Sequence, residues 1–202
     1  MKPFSESCEQ NKDVILKTIK PLLASRHSVL EIGSGTGQHA IYFAQALPHL
    51  KWHTSDRAEA LNGIQMWLDE FCSDGKLQNI NSPVSLDVSQ TSWPELKVDA
   101  VFTANTLHIM HWNDVQKFFE QAPKLLVSDG IIMIYGPFNY QGQYTSDSNE
   151  RFDGWLKSRD PKSGIRDFSD LEVLAEKNGL KFLADYEMPA NNRILCWQKI
   201  LN

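Results

Sequence analysis

The sequence predicts an α/β protein with a doubly wound, mostly parallel seven-stranded sheet that ends in an antiparallel hairpin. Short apolar runs rich in β-formers alternate with amphipathic helical patterns, which is typical of a parallel sheet covered by helices. A glycine-rich turn separates the first run from the helical pattern that follows it. Two apolar runs near the C-terminal end are joined only by Pro-Ala-Asn-Asn, so we expect them to pair antiparallel.

Five apolar runs predict the strands that precede the hairpin. They are "SVLEIG" from Ser28, "KWHTSD" from Lys51, "SPVSLDV" from Ser82, "VDAVFTAN" from Val98 and "GIIMIYGPF" from Gly130. Helical spacing of apolar residues marks "QHAIYFAQAL" and "WNDVQKFFEQAPKLLV" between them, and "DFSDLEVLAEKNG" before the hairpin. The hairpin strands are "LKFLADYEM" and "RILCWQKIL".

Composition indicates an ordinary globular protein with a single domain over residues 1–202. Apolar residues make up 42%, charged residues 22%, and the net charge of −5 provides no basic field for nucleic acid. The three cysteines, Cys8, Cys72 and Cys196, are far apart and form no CxxC pair, which argues against disulfides or a cysteine zinc site. No apolar stretch approaches membrane length or a signal-peptide core. We expect a cytoplasmic monomer or homodimer with no nucleic-acid or membrane partner.

The stretch "EIGSGTG" predicts a ligand site at the end of the first strand. A glycine turn that opens a helix binds polar or anionic groups. A dinucleotide fingerprint needs a small residue where Gln38 stands, and the charge of Glu31 would repel a pyrophosphate. An acid at this place can instead meet the amino end of an amino-acid ligand. The turn resembles the first motif of class I methyltransferases that use S-adenosylmethionine (SAM). The predicted contacts to SAM are Glu31, Gly33, Ser34, Gly35, Thr36 and Gly37.

Acidic residues after the next two strands extend this prediction. Asp56 ends the second strand about twenty residues after the turn, where both nucleotide-binding families place a ribose ligand. Asp56 and its neighbour Arg57 are therefore candidate cofactor contacts, but they do not distinguish SAM from a nicotinamide cofactor. In class I methyltransferases an acid at the position of Asp87 meets the adenine amino group, and Val88 would offer its backbone N–H to the ring. A solvated loop residue is the alternative for Asp87.

Longer motifs resemble, nearly end to end, the family named for methyltransferase-like protein 26, catalogued as domain-of-unknown-function family 938. The shared stretches are "EIGSGTGQHAIYFAQALP", Trp52 with Ser55 and Asp56, "NTLHIMHW", "YGPF", "SNERFD", "RDPKSGIRD" and "MPANNRILCWQK". The resemblance implies a class I methyltransferase fold and SAM as cofactor, without a known substrate. Gly33 stands where many relatives have alanine, a difference that concerns the packing of the turn.

The segment after the fourth strand contains the candidate catalytic residue and further candidate contacts to the cofactor. A sulfonium donor is already activated, so the protein must align the acceptor and, where needed, remove its proton. Asn105 and Thr106 are candidate cofactor contacts, and His108 is the candidate general base because histidine titrates near neutral pH. A histidine packed beside the sheet is the alternative. His108 and His111 lack a convincing third ligand, so we expect no metal.

Residues 1–25 are predicted to form a gate. "SESCEQNKDVILKTIKPLL" has the pattern of a capped amphipathic helix with Ile15, Ile19 and Leu22 buried. Such a helix would lie over the sheet and close the cofactor pocket. Asn11 and Ser5 are its candidate contacts to the ligand, and plain packing is the alternative.

Residues 139–166 show no clear periodicity and are predicted to be a substrate-covering loop. Arg166 is expected to fork to a carboxylate or phosphate of a small, aromatic or apolar acceptor. Tyr135, Asn191 and Asn192 are further candidate substrate contacts. The predicted function is O- or N-methylation of a small molecule. The alternatives are a SAM-binding protein without catalysis and a nicotinamide-dependent oxidoreductase, which would leave Glu31 and Gln38 unexplained.

Overall fold

The structure is a computed structural model that describes residues 2–73, 75 and 77–200. Its seven-stranded sheet has the order β3-β2-β1-β4-β5-β9-β8, and β6 pairs with β7. The strands are β1 Ser28–Ile32, β2 Lys51–Asp56, β3 Ile80–Ser85, β4 Val98–Ala104, β5 Leu126–Gly136, β6 Phe138–Asn139, β7 Arg166–Asp167, β8 Leu180–Met188 and β9 Asn192–Lys199. The helices are α1 Glu6–Leu23, α2 Gln38–Ala46, α3 Leu61–Cys72, α4 Trp112–Leu125, α5 Asp147–Arg159 and α6 Phe168–Lys177.

The sheet confirms the predicted fold class, since it is mostly parallel and its C-terminal strands are antiparallel. Among the described residues, no helix has the length and apolar character needed to cross a membrane. Contacts group the chain into two compact units, Met1–Thr103 and Ala104–Asn202. The prediction of one domain over the whole chain stays a prediction.

In the first unit, β1 pairs in parallel with β2 and β4, and β2 pairs in parallel with β3. A cluster of aromatic rings fills its core: Phe43 lies 5.5 Å from Trp52 and 5.7 Å from Phe102, between ring centroids. Helix α1 is capped by Ser5, as its sequence predicts. Its buried stripe ends at Leu23 rather than at the predicted Leu22, which is only half-buried.

In the second unit, β9 pairs antiparallel with both β5 and β8, which confirms the predicted hairpin. The turn is a short 3-10 segment, Pro189–Asn191, in which Ala190 and Asn191 both have φ of 57°. Trp197 packs against both α4 and α6, with ring-centroid distances of 5.6 Å to Phe119 and 6.4 Å to Phe168.

The prediction that residues 139–166 form a loop was wrong in one respect, because this segment contains α5. Ser146 caps the helix by accepting a hydrogen bond from the Asn149 backbone N–H at 3.1 Å. The buried positions of α5 are Asn149, Asp153 and Leu156, so two of the three are polar. A hydrophobic pattern cannot reveal a helix whose buried face is polar.

Candidate functional site

The glycine turn links β1 to α2 in the first unit. The backbone N–H groups of Gly33 and Ser34 both donate to the carbonyl of Ser55 at the end of β2, at 3.0 and 2.9 Å. Gly35 and Gly37 have φ of 57° and 89°, a region that side chains make costly. A Cβ atom at Gly35 would meet no atom within 4 Å, whereas one at Gly37 would approach Ile64 to 3.3 Å. The turn therefore borders open space at Gly35 and packs tightly at Gly37.

Asp56 fixes the position of this turn. One carboxylate oxygen accepts from the Gly35 N–H and the other from the Arg57 N–H, each at 2.8 Å. The side chain of Arg57 points to an exposed ion pair with Glu59 at 3.2 Å. The sequence predicts Asp56 as a ribose ligand, and the structure adds a second role, which is to hold the backbone of Gly35.

Asp87 and Val88 follow β3, as predicted. The strand itself runs over Ile80–Ser85, so it begins two residues and ends three residues before the predicted run. One oxygen of Asp87 accepts from the Ser89 N–H at 2.8 Å, which begins a tight turn. Val88 is buried beside it. Their predicted contacts to an adenine ring stay a prediction.

Glu31 is the most buried acid of the site, with 1% of its surface exposed. Its Oε2 accepts hydrogen bonds from Trp52 Nε1 and Ser34 Oγ, both at 3.1 Å. Burial raises the pKa of Glu31 to about 7, against a smaller lowering by these two bonds. No lysine, arginine or histidine among the described residues forms an ion pair with it within 4.0 Å. The site therefore holds an acid that lacks a cation.

The N-terminal segment contacts both helices that follow the glycine turn. The Ser5 N–H donates to Gln38 Oε1, and Asn11 Oδ1 lies 2.7 Å from His39 Nε2. The carbonyl of Pro3 accepts from Trp67 Nε1 at 2.7 Å in α3. The predicted ligand contact Asn11 thus has a partner within α2. The segment lies over the start of that helix, and its role as a gate stays a prediction.

Two partners at this site were missed by sequence reasoning. Trp52 was noted only as part of a family motif, and Gln38 only as a misfit to the dinucleotide fingerprint. The structure places Trp52 in register with Val29, and residues two apart, such as Val29 and Glu31, share one face of a sheet. The sequence predicts both strands but not this register.

The segment after β4 begins the second group of predicted residues. Asn105 has φ of 57°, and its N–H donates to the carbonyl of Tyr135 in β5 at 2.9 Å. Thr106 and Tyr135 are buried. Because these residues shape a tight turn, their predicted contacts to cofactor and acceptor stay predictions.

His108 is buried, with 7% of its surface exposed. Its ring meets the ring of Phe152 edge to face at 5.3 Å, and its carbonyl accepts from the Gly164 N–H at 2.8 Å. Burial, assisted by the charge of Arg166, lowers the pKa of His108 to about 4. The expectation of a pKa near neutrality was therefore wrong. His108 is a neutral imidazole at pH 7 and a weak base.

Arg166 binds backbone carbonyls of its own chain. Its Nε donates to the carbonyl of Leu107 at 3.1 Å, and its Nη2 donates to those of Met110 and Lys162. The Nε–Nη2 edge is therefore engaged within the chain, and the predicted fork to an acceptor stays a prediction. These bonds tie the segment after β4 to the turn before β7.

The hairpin turn is tied to the start of α5. Asn149 Nδ2 donates to the carbonyl of Asn191 at 3.0 Å, and Asn191 Nδ2 donates to Ser148 Oγ at 3.3 Å. Asn192 Nδ2 donates to the carbonyl of Pro189 at 3.2 Å within the turn. The amide donors of the two predicted substrate contacts thus stabilise the turn and its attachment.

His111 has a partner other than a metal. Its Nε2 lies 2.7 Å from Asp160 Oδ2. Across the described ranges, no three His, Cys, Asp or Glu side chains are grouped in a way that could hold a metal ion.

Residues 2–199 match the family described as "Protein of unknown function (DUF938)". The chain belongs to the DUF938 family. The match covers nearly all of this DUF938 protein, as the end-to-end resemblance of its motifs predicts.

Solved methyltransferase structures share the fold of this DUF938 protein. The apo S-adenosylmethionine-dependent methyltransferase SibL matches with a TM-score of 0.80 and 20% identity, over 96% of this chain and 56% of its own. Human N-acetylserotonin methyltransferase in complex with SAM matches with a TM-score of 0.77 and 16% identity, over 97% of this chain and 53% of its own. A putative O-methyltransferase from Nostoc punctiforme matches with a TM-score of 0.79 and 14% identity, over 95% of this chain and 56% of its own. The DUF938 chain spans a little over half the length of these proteins.

Proposed function

We propose that this protein is a SAM-dependent methyltransferase of the methyltransferase-like protein 26 group, acting on an oxygen or nitrogen of a small molecule. The observation that supports it most is Glu31, an acid without a cation buried beneath a glycine turn. SAM has an amino-acid end whose ammonium group would supply the missing charge. A nicotinamide cofactor would bring its anionic pyrophosphate to the same place.

The residues of the first unit fit such a cofactor. The open space at Gly35 admits a ligand against the turn backbone, and Glu31 would hold the ammonium group. Asp56 would accept from the ribose hydroxyls, while Asp87 and Val88 would bind the adenine. When bound, SAM supplies a methyl group that is already activated for displacement. The chain's remaining task is to orient the acceptor.

In the second unit we assign acceptor binding to His108 and to residues 139–166. A histidine with a pKa of about 4 is neutral at pH 7 and is a weak base. His108 would therefore orient the acceptor by a hydrogen bond, and this suits a neutral amine or an acceptor that is readily ionised. The same low pKa favours a second candidate function, a SAM-binding protein without catalysis.

Thermal unfolding with added ligands tests the cofactor. At a hundredfold excess over the dissociation constant, SAM and its demethylated product should each stabilise the folded state by about 2.7 kcal/mol. NADH should have no effect. A shift with NADH and none with SAM would contradict the proposal. Transfer of label from methyl-labelled SAM to components of small-molecule extracts would separate an enzyme from a non-catalytic SAM-binding protein.

Removal of residues 2–12 tests the gate. The truncated protein should remain folded, because Ile15, Ile19 and Leu23 still bury α1, but it should bind SAM more weakly. Gly63→Ala is a gentler variant: its Cβ would come within 2.8 Å of Pro3 Cγ and displace the segment. Gly154→Ala is the matched control, since its Cβ meets nothing within 4 Å. Calorimetric titration measures the affinities. Unchanged SAM binding by the truncated protein would refute the gate.

A further inference from the structure

Gln38 is a buried amide with a fixed orientation. It is the first residue of α2, and only 6% of its surface is exposed. Its Oε1 accepts from the Ser5 backbone N–H and from Thr36 Oγ1, the latter at 3.0 Å. Because a backbone N–H can only donate, the atom that faces Ser5 must be the amide oxygen. The amide nitrogen, with two N–H donors, therefore occupies the other position.

The Nε2 atom of Gln38 is buried and has no hydrogen-bond partner among the described residues. A buried donor left unpaired costs about 1 to 3 kcal/mol, and such groups are rare in folded proteins. This donor belongs to the first turn of a nine-residue helix, whose N-terminus favours negative charge. The unpaired amide and the helix terminus thus point independently to an anionic acceptor.

We propose that Gln38 is a specificity-determining residue that donates from Nε2 to a ligand carboxylate, namely the carboxylate at the amino-acid end of SAM. This inference rests on the proposed function. An amino-acid end has a carboxylate and an ammonium on one carbon. The glycine turn brings a partner for each group together. Ser34 of the turn donates a hydrogen bond to Glu31, and Thr36 of the same turn donates one to Gln38. Glu31 takes the ammonium and Gln38 takes the carboxylate.

The N-terminal segment sets the orientation of this donor. Without the Ser5 N–H, the amide oxygen of Gln38 keeps only the Thr36 hydroxyl, which can donate or accept and so does not fix the orientation of the amide. The gate and the recognition of the carboxylate are therefore linked through one side chain. A truncated protein should lose discrimination between ligands with and without a carboxylate, in addition to affinity.

The test compares three ligands that differ in their amino-acid end: SAM, decarboxylated SAM and 5′-methylthioadenosine. The wild-type protein should bind SAM at least about tenfold more tightly than decarboxylated SAM, the value of one hydrogen bond to a charged group. Gln38→Glu keeps an oxygen for Ser5 but replaces the donor with a negative acceptor. It should abolish this preference and leave the affinity for methylthioadenosine unchanged.

Two further variants make the result decisive. Gln38→Met removes the amide without adding charge and should also abolish the preference. Gln45→Glu makes the same charge change at an exposed position of α2 and should preserve it. Equal affinities of the wild type for SAM and decarboxylated SAM would overturn the assignment while the proposed function stands. So would a preference that survives in both Gln38 variants. If the wild type binds none of the three ligands, the proposed function fails and this inference fails with it.

Discussion

The Glu31→Gln variant is expected to be more stable than the wild type at pH 8 and to lose most of its affinity for SAM. A glutamine keeps an oxygen that can accept from Trp52 Nε1 and Ser34 Oγ. It does not keep the buried negative charge, which is costly to remove from water. The variant should therefore pack in the same way and unfold at a higher temperature.

The sign of the effect follows from the direction of the pKa shift. The pKa of Glu31 rises from an ordinary value of 4.5 in the unfolded chain to about 7 in the folded protein. Between these values the folded state binds more protons, so the free energy of unfolding falls as the pH rises. The loss is complete above pH 7 and amounts to about 3 kcal/mol. Wild type and variant should therefore be equally stable at pH 4 and differ most at pH 8.

Urea unfolding at pH 4, 6 and 8 measures this difference. Glu176→Gln, a surface change on α6, is the control: it keeps Glu31, so its stability should follow that of the wild type at all three pH values. The affinity for SAM should change in the opposite sense to the stability, because the ammonium group of SAM pairs only with the ionised form of Glu31. The affinity of the wild type for SAM should rise as the pH passes through 7. A variant that binds SAM as tightly as the wild type would show that Glu31 has a structural role alone.

The fold could be predicted because the strands and most helices are built on apolar periodicity. The first and fourth strands are short, almost completely buried runs, and the glycine turn marks where β1 becomes α2. The hairpin was predicted by its turn residues. Helix α5 was not predicted because two of its three buried residues, Asn149 and Asp153, are polar and hydrogen-bond to backbone outside the helix.

The candidate site could be predicted in its residues more than in their roles. The glycine turn and Asp56 meet at the ends of β1 and β2, as the spacing predicts. The properties of His108 and Arg166 depend on contacts that spacing cannot supply. The ring of Phe152 packs against His108, and two of the three carbonyls that engage Arg166 belong to a turn nearly sixty residues earlier. Local sequence states which groups are present, whereas tertiary contacts decide their pKa values and their free hydrogen-bonding sites.

Asp153→Ala is expected to destabilise the second unit more than any surface change. Asp153 has 2% of its surface exposed, and its Oδ1 accepts from the backbone N–H of Ile165 at 2.7 Å. Its Oδ2 accepts from Tyr144 Oη at 2.7 Å and from Lys157 Nζ. Alanine would leave the buried N–H of Ile165 unpaired and would detach α5 from residues 163–165. We expect a loss of about 3 kcal/mol in the free energy of unfolding.

Lys157→Ala separates the ion pair from the hydrogen bonds. The lysine side chain is 53% exposed, so its removal should cost at most about 1 kcal/mol. Burial by itself raises the pKa of Asp153, but the hydrogen bonds from Lys157, Tyr144 and Ile165 together lower it below the ordinary value of 3.8. The stability that this shift contributes is present above pH 3.8 and is lost as the pH falls below it. Urea unfolding should therefore show a larger difference between wild type and Asp153→Ala at pH 7 than at pH 3. If Lys157→Ala proved as damaging as Asp153→Ala, the ion pair would be the main attachment of α5, and the hydrogen bond to Ile165 would contribute little.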